Sequence, residues 1–462
     1  MDAQQETRAL IRPVKESIED DLLAREGVVG VDIAEKVSDG KPTGQLSIVV
    51  FVQKKKPGAR IARGQLIPKE IDGVPTDVQE LEIELQSAMV KLDDVVGLVD
   101  ATAYPSLHGG ISMGPRRSVY LTPPEVPAAG NYVFVGTLGA MVRDRASGAT
   151  MALTNFHVAC PRGWAVGDRM AQPSLVDNAP AATDFGSLTR SVLSENVDGA
   201  VVTLDAGKAW SASIETIGNV AGTTAATIGM PVQKRGRTTE HTFGTVRSTD
   251  FTVTINYGGD VGSRTLRNQV RIETDTTRSA RFSQKGDSGS VIVADDRNVI
   301  GLLFAGSTDG QWTFGNPIAA VQDELGVDII RYEAPPIITR PSVCDPIRTA
   351  VIVCNKVTRP ALCEPIQTRV VICNKITQPA VCEPIQSRVV ICNKITQPAV
   401  CRPTRIPICD LQLTSAACDF PIPPQENPFG DEAAYGEEFL AGYLAALEAV
   451  ATEEAADSDG QG

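Results

Sequence analysis

The chain opens on a helical pattern and then turns to an alternating one. Between Arg8 and Arg25, charged positions surround Ile11, Val14, Ile18 and Leu22, a spacing that puts four apolar side chains on one helical face. "GVVGVDIAEK" and "GQLSIVVFVQKK" alternate around the turn "SDGKPTG", which predicts paired strands. "LIPKEIDGVPTDVQELEIE" predicts a further hairpin with Gly73 in its turn. Residues 1–95 are therefore expected to form a small α+β domain. It carries no catalytic constellation, so packing or oligomerisation is its expected role.

From residue 96 to 330 the pattern becomes short apolar runs separated by Gly, Asn, Asp and Pro, the signature of an all-β sandwich or barrel. "TLGAMVRDRASGATMALTNFHVA" reads as two strands joined at Ala146-Ser147-Gly148, and "NPIAAVQDELGV" as a closing helix. Residues 331–343 form a Pro-rich linker. Residues 344–420 then repeat: "CEPIQTRVVICNKITQPAV" starts at Cys363 and "CEPIQSRVVICNKITQPAV" at Cys382, a period of 19 residues with a divergent copy from Cys344. Units this small cannot bury a face alone and must stack, as a β-solenoid or a string of hairpins. In residues 421–462 a Pro-containing spacer precedes "EEFLAGYLAALEAV", which puts Phe439, Tyr443, Leu444, Leu447 and Val450 on one helical face.

Composition narrows the function. At 462 residues the chain suits roughly three folding units of ~150 residues. A net charge of −13 argues against a nucleic-acid partner, which needs a clustered basic surface. Ten acidic and no basic residues lie between Glu426 and Gly462, so most of that charge belongs to the tail. No apolar run reaches the ~18 residues of a membrane span, and the first residues lack a signal-peptide core, so the expected location is cytoplasmic and no membrane partner is expected. Cys160 is the only cysteine before Cys344, which fits a reducing compartment.

Three short motifs carry chemistry. A serine nucleophile needs an adjacent base and a third group that fixes the base's tautomer. "ALTNFHVAC" puts His157 just past an apolar strand, "ENVDGAVVTLD" puts Asp198 at the mouth of another, and "QKGDSGSVIVA" puts Ser288 in a Gly-flanked turn. Gly286 and Gly289 allow the backbone to turn tightly there and present N–H groups to an oxyanion.

"TNFHVA", "NVDGAVV" and "KGDSGSVIV" followed by "VIGLLFAG" resemble the His, Asp and Ser motifs of chymotrypsin-fold serine proteases, in the same order, over about residues 105–330. "VQKRGRTTEHTFGTV" resembles the strand pair that opens the second barrel in many bacterial members. The N-terminal unit with "HGGISMG" is similar to the narrow-leaf-type trypsin-like proteins of plants and bacteria. The resemblance implies two six-stranded barrels, with His157 and Asp198 from the first, Ser288 from the second, and the N–H groups of Gly286 and Ser288 as the oxyanion hole. The expected fold is thus mainly β: a trypsin-like double barrel between a small α+β domain and a Cys-containing β-repeat segment.

Departures from that pattern carry their own expectations. No "IVGG"-like start follows a basic cleavage site, so Asp287 needs a partner other than a new N-terminus; Lys285, Arg235 and Arg237 are the candidates. Cys160 lies near a family disulfide position but has no mate in its domain. Phe282 stands where the family sets the base of the specificity pocket, which implies a preference for small or apolar residues before the scissile bond, while Phe304 to Gly306, also placed at the pocket, depart from the family's usual substrate-pairing strand. His108 is expected at the surface or as a cap, and His241 lacks metal-ligand spacing, so neither a metal nor a cofactor is expected.

Within the repeat, cysteines alternate at spacings of 10 and 9, stacking each over its equivalent in the next unit; a disulfide ladder, an apolar seam of thiols and metal binding all stay open. Arg369, Arg388 and Lys394 recur with the period and suggest a basic face for the acidic tail or an acidic partner. The terminal helix, within residues 431–454, is either a cap on the chain itself or a docking peptide for a partner protein. Two function classes follow: a serine endopeptidase acting on protein or peptide substrates, with a homo-oligomer left open, or a catalytically inactive scaffold on the same fold. A third expectation is self-cleavage in the linker, between Tyr332 and Val343.

Overall fold

The computed structural model describes residues 3–333 except 39, 58–60, 87 and 93–99, together with the strands of the repeat between 351 and 409. The protein is mainly β, and it divides into two compact units at residue 334.

In the first unit, helix Ala3–Leu23 runs through Pro13 and lays Ile11 and Leu22 on Val31, Ile33, Leu46, Ile48 and Val50. Those residues lie on the antiparallel strands Val28–Ser38 and Lys41–Val52, paired as Val31↔Val50 and Ile33↔Ile48. Asp72 and Gly73, both at positive φ, close the hairpin between Glu70–Ile71 and Val74–Glu80, as a two-residue Asp-Gly turn requires. Strand Val74–Glu80 then lies parallel to Lys41–Val52.

The N-terminal region, expected as its own domain, is continuous with the sheet that follows. Gly30 and Val31 pair with Val253 and Thr252. Phe251 packs edge-on to Phe51 and stacks on Phe314, with centroids 5.6 and 4.7 Å away. Burying each such ring contributes about 1.5–3 kcal/mol. Buried ions add to the join, with Arg8 on Asp250 at 3.1 Å and Arg271 on Asp32 at 2.9 Å. An edge strand left open would be a pairing hazard, and covering it with a further sheet removes that edge.

Two sheets close on themselves. In one, the strands pair in the order Pro231–Gly236, Val291–Ala294, Asn298–Ser307, Trp312–Pro317, Ser263–Thr274 and Glu240–Asn256, and the last pairs back with the first. In the other, Gly130–Leu138 and Ala140–Asp144 form one long strand bent at Gly139. It pairs with Ile111–Pro115 at one end and Thr150–Thr154 at the other. Asp198–Leu204, Thr183–Leu193 and Arg169–Gln172 complete the ring. Only a hydrogen fits on Gly139, because a Cβ would collide with the carbonyl of Gly289. The bend of the first barrel is thereby seated against the loop that carries Ser288.

The turn after the bent strand supplies a pH-dependent lock. Asp144 accepts from Ser147 Oγ at 2.6 Å, from Arg190 at 2.5 Å and from the Ser147 N–H at 2.8 Å, and these hold its carboxyl down at about 2. A depressed folded pKa stabilises above the unfolded value and ceases to do so as pH falls through the folded one. The stability difference between wild type and Asp144→Asn is expected to be full above about pH 5 and to shrink between about 4 and 2; urea denaturation across that range measures it.

The second unit contains parallel strands in two sheets. Val351–Cys354, Val370–Cys373, Val389–Cys392 and Pro407–Cys409 form one, and Leu362–Cys363, Val381–Cys382 and Val400–Cys401 the other. The pairing is that of a solenoid, since hairpins would pair antiparallel. The 19-residue period sets Cys354, Cys373 and Cys392 in one register and Cys363, Cys382 and Cys401 in another. The helix expected in residues 431–454 and the basic positions Arg369, Arg388 and Lys394 lie outside the described residues.

Candidate active site

Asn155 ends an extended strand and passes the chain into the short helix Phe156–Ala159, on which His157 sits almost wholly buried. Its Nδ1 lies 2.5 Å from Asp198 Oδ2 and its Nε2 lies 2.8 Å from Ser288 Oγ. Asp198 opens the strand Asp198–Leu204 and is fully buried. Its Oδ1 accepts from the His157 N–H at 3.2 Å, its N–H donates to Asn316 Oδ1 at 3.1 Å, and its carbonyl accepts from Asn155 Nδ2 at 2.7 Å. The carboxylate is thus held on several sides and aims its remaining capacity at the imidazole.

Tyr257 is a member of this group that the sequence did not reveal. Its hydroxyl donates to Asp198 Oδ2 at 2.8 Å and its ring meets His157 edge-on at 6.0 Å. Burial, then the Asp198 charge, push its pKa well above the ordinary tyrosine value, so it remains a donor at any physiological pH. Cys160, near the same carboxylate, is raised to about 12 chiefly by burial and is therefore a thiol, not a thiolate.

Ser288 lies in the turn that precedes strand Val291–Ala294. Gly286 has φ +104, and a Cβ there would collide with Thr238 Oγ1, so only glycine suits this position. Asp287, buried beneath the turn, accepts from the N–H groups of Thr238, Thr239 and Gln284 at 2.8, 3.1 and 2.9 Å, and from Thr239 Oγ1 at 2.6 Å. Its cationic partner is Lys234, at 3.3 Å. This corrects the three expected candidates: Lys285 reaches Glu84, Arg235 reaches Asp100 and Arg237 reaches Asp177. Both members of the Lys234–Asp287 pair are fully buried, and burial lowers the lysine's pKa. Removing one partner of a buried pair leaves an uncompensated charge. Lys234→Met is expected to cost about 3 kcal/mol of stability in urea denaturation.

The cleft beside Ser288 holds a segment of the same chain. Strand Ile83–Leu85 pairs antiparallel with the edge of strand Asn298–Ser307, with Leu85 opposite Ala305 and Glu84 opposite Gly306. The Gln86 N–H donates to the Phe304 carbonyl at 3.0 Å, and the Gln86 carbonyl accepts from the N–H groups of Gly286 at 2.6 Å and Ser288 at 3.1 Å. Strand Ala88–Lys91 continues on the other side, pairing with the bent strand through Ala88↔Val135 and Val90↔Val133.

The pocket residues fall differently from expectation. Phe282 is fully buried among Val246, Ile272, Ile292 and Leu303 in the core of the second barrel, and Phe304 among Phe51, Phe251 and Phe314. Their rings complete the two cores, where such area is most stabilising; the apolar pocket base expected from Phe282 is not formed. Gly306 does face the cleft. A Cβ on it would lie 2.9 Å from Gln86 Nε2 and 3.0 Å from Ser283 Oγ, and Ser283 Oγ is bonded to Thr313 Oγ1 at 2.7 Å. Away from the cleft, His108 is buried between the Ser106 carbonyl and Glu215, and His241 bonds Gln233.

No family model matches the chain, and no curated protein matches it in sequence. Among solved structures it is similar to Thermobifida fusca protease A, with 19% identity over 49% of this chain and 100% of that one at a TM-score of 0.35. Cellulomonas bogoriensis chymotrypsin gives 22% over 49% and 100% at 0.34, and Nocardiopsis protease 19% over 48% and 98% at 0.35. No helix among the described residues is long and apolar enough to cross a membrane.

Proposed function

We propose that the chain is a serine endopeptidase that cleaves peptide bonds through an acyl-enzyme, with Ser288 as nucleophile, His157 as general base and then acid, and Asp198 as the orienting carboxylate. One observation carries the reading: Ser288 Oγ bonds the base while a peptide carbonyl beside it accepts from two backbone N–H groups. Such donors stabilise charge that develops on the carbonyl oxygen during attack, each contributing about 2.7–4 kcal/mol in enzymes where one has been removed. In this reading His157 Nε2 takes the serine proton as Oγ attacks and returns it to the leaving nitrogen. Asp198 keeps the Nδ1–H tautomer that leaves Nε2 free to accept.

Formed donors also favour the peptidase over an inactive scaffold, for which a collapsed oxyanion site would be expected. A cytoplasmic setting belongs to the proposal, resting on the lone, buried and unpaired Cys160 of the first unit. So does a relation to narrow-leaf-type proteins, resting on "HGGISMG" and the N-terminal unit. Incubating denatured casein with wild type and with Ser288→Ala tests the reading. New peptide N-termini in the wild-type digest alone support it; none in either digest favours the scaffold.

A further inference from the structure

We infer that residues 82–91 are the chain's own substrate and that Ser288 cleaves the Gln86–Ser87 bond. The inference rests on the peptidase reading above and adds a scissile bond and a residue preference to it. A peptide ready for attack by a nucleophile in a sheet cleft must satisfy three conditions: its backbone extends along a sheet edge, its scissile carbonyl oxygen reaches the oxyanion donors, and its next residues leave along another wall.

This segment satisfies all three. Before the bond, the Thr308 N–H donates to the Glu82 carbonyl at 3.1 Å, Glu84 lies opposite Gly306, and the Gln86 N–H donates to Phe304. At the bond, the Gln86 carbonyl takes the Gly286 and Ser288 N–H groups. After it, Ala88–Lys91 pairs with the first barrel and the Leu92 N–H donates to Asn131 at 2.8 Å. One strand edge would be ordinary sheet growth. A segment with a strand on the second barrel before the Gln86 carbonyl and a strand on the first barrel after it, and with that carbonyl on the Gly286 and Ser288 N–H groups beside a His-bonded serine, is a substrate pose.

The side chains report a preference. Gln86 is buried, with its amide against the open face of Gly306, and the groups beside it are the hydroxyls of Ser283 and Thr313. The pocket is uncharged and, among the described residues, leaves Gln86 Oε1 buried without a hydrogen-bond partner, so it admits a neutral side chain and disfavours a charged one. Leu85 packs in the apolar cluster that includes Tyr257, and Glu84 pairs with Lys285 at 2.9 Å. The substrate class is therefore a peptide with an uncharged residue, here glutamine, before the scissile bond, an aliphatic residue before that, and an acidic residue one further back.

In the step itself, Ser288 Oγ adds to the Gln86 carbonyl carbon while its proton passes to His157 Nε2. The C–N bond to Ser87 breaks as His157 returns that proton to the leaving nitrogen, which gives a Gln86–Ser288 ester and a free Ser87 amine. Water then adds to the ester carbonyl carbon as its proton passes to His157 Nε2, and the bond to Ser288 Oγ breaks as His157 returns that proton to Oγ, which restores the serine and frees Gln86 as a carboxylic acid that ionises in water. The fragments stay together, because Gly30 and Val31 remain in the sheet with Val253 and Thr252 and the N-terminal helix keeps its ion pairs to Asp250. The linker between Tyr332 and Val343, where the sequence suggested self-cleavage, lies outside the described residues beyond Glu333, and the bond in the cleft is a different site.

The test is the denatured mass of purified full-length chain over time, with a synthetic peptide of residues 80–93 as substrate in trans. Wild type is expected to split into residues 1–86 and 87–462, with a new N-terminus at Ser87, at a rate unchanged by tenfold dilution and with unchanged native size. Ser288→Ala is expected to stay whole, and Gln86→Lys to split at least a hundredfold more slowly. Splitting at another bond, splitting in Ser288→Ala, or a rate that falls with dilution overturns the inference. So does a chain that stays whole while it digests casein, and there the peptidase reading survives. A chain that stays whole and cleaves neither casein nor the peptide overturns both.

Discussion

Replacing Ser288 by alanine is expected to lower kcat for the peptide of residues 80–93 by about six orders of magnitude, as removal of a triad nucleophile does elsewhere. The size follows from the division of labour in the site. Without Oγ there is no covalent intermediate, and His157 has only water to activate, in a position the structure reserves for the serine oxygen. The Gly286 and Ser288 N–H groups survive the change and would still polarise a bound carbonyl, so a residual rate of about 10³–10⁴ over water is expected. The fold should not respond, because among the described residues the serine hydroxyl hydrogen-bonds only His157 Nε2 and the Phe304 carbonyl. Equal urea midpoints with a lost rate would separate chemistry from folding, and a loss below tenfold would remove Ser288 from the role of nucleophile.

The next largest effect is expected at Asp198. Asp198→Asn should reduce kcat by about 10⁴ with little change in KM. The carboxylate accepts from His157 Nδ1, from the His157 N–H and from the Tyr257 hydroxyl. An asparagine offers one oxygen for these three donors and adds an N–H that needs an acceptor. The arrangement that satisfies it makes His157 Nδ1 the acceptor and puts the ring proton on Nε2, pointing at Ser288. A base so protonated cannot take the serine proton. A kcat–pH profile measures this: the variant should gain rate with rising pH as hydroxide replaces the base, whereas a merely loosened site would keep the wild-type profile at reduced height.

The meeting of His157, Asp198 and Ser288 was legible because each sits at a junction the sequence marks: His157 just after "ALTN", Asp198 before "GAVV", Ser288 between two glycines. What lies around it was less so, for physical reasons. "ELEIELQSAMV" alternates as an edge strand does, and alternation reports which side chains share a face, not which edge the strand will join. Gln86 is therefore invisible as a cleft residue until strand Asn298–Ser307 is seen beside it. Lys234 and Arg235 are neighbours on strand Pro231–Gly236, with Arg237 just past its end, and a shift of one residue decides whether Lys234 or Arg235 faces Asp287. Phe282 follows a loop whose register nothing local fixes, and its ring turned to the core, where an aromatic gains most. Tyr257 ends a strand in a Gly-Gly turn, where an aromatic is as readily exposed as buried. The 19-residue period, in contrast, carried its own geometry, since equal spacing is what parallel in-register stacking demands.

The account stands on an activated Ser288, and the most direct measurement is covalent labelling by a fluorophosphonate followed by peptide mapping. It is best made on a Leu85→Asp chain, in which the strand over the serine is loosened, with and without His157→Ala. The expected result is a single adduct on Ser288 that is lost when His157 is replaced. No adduct at any pH between about 6 and 9, or an adduct on Ser288 that forms equally fast without His157, would contradict the account.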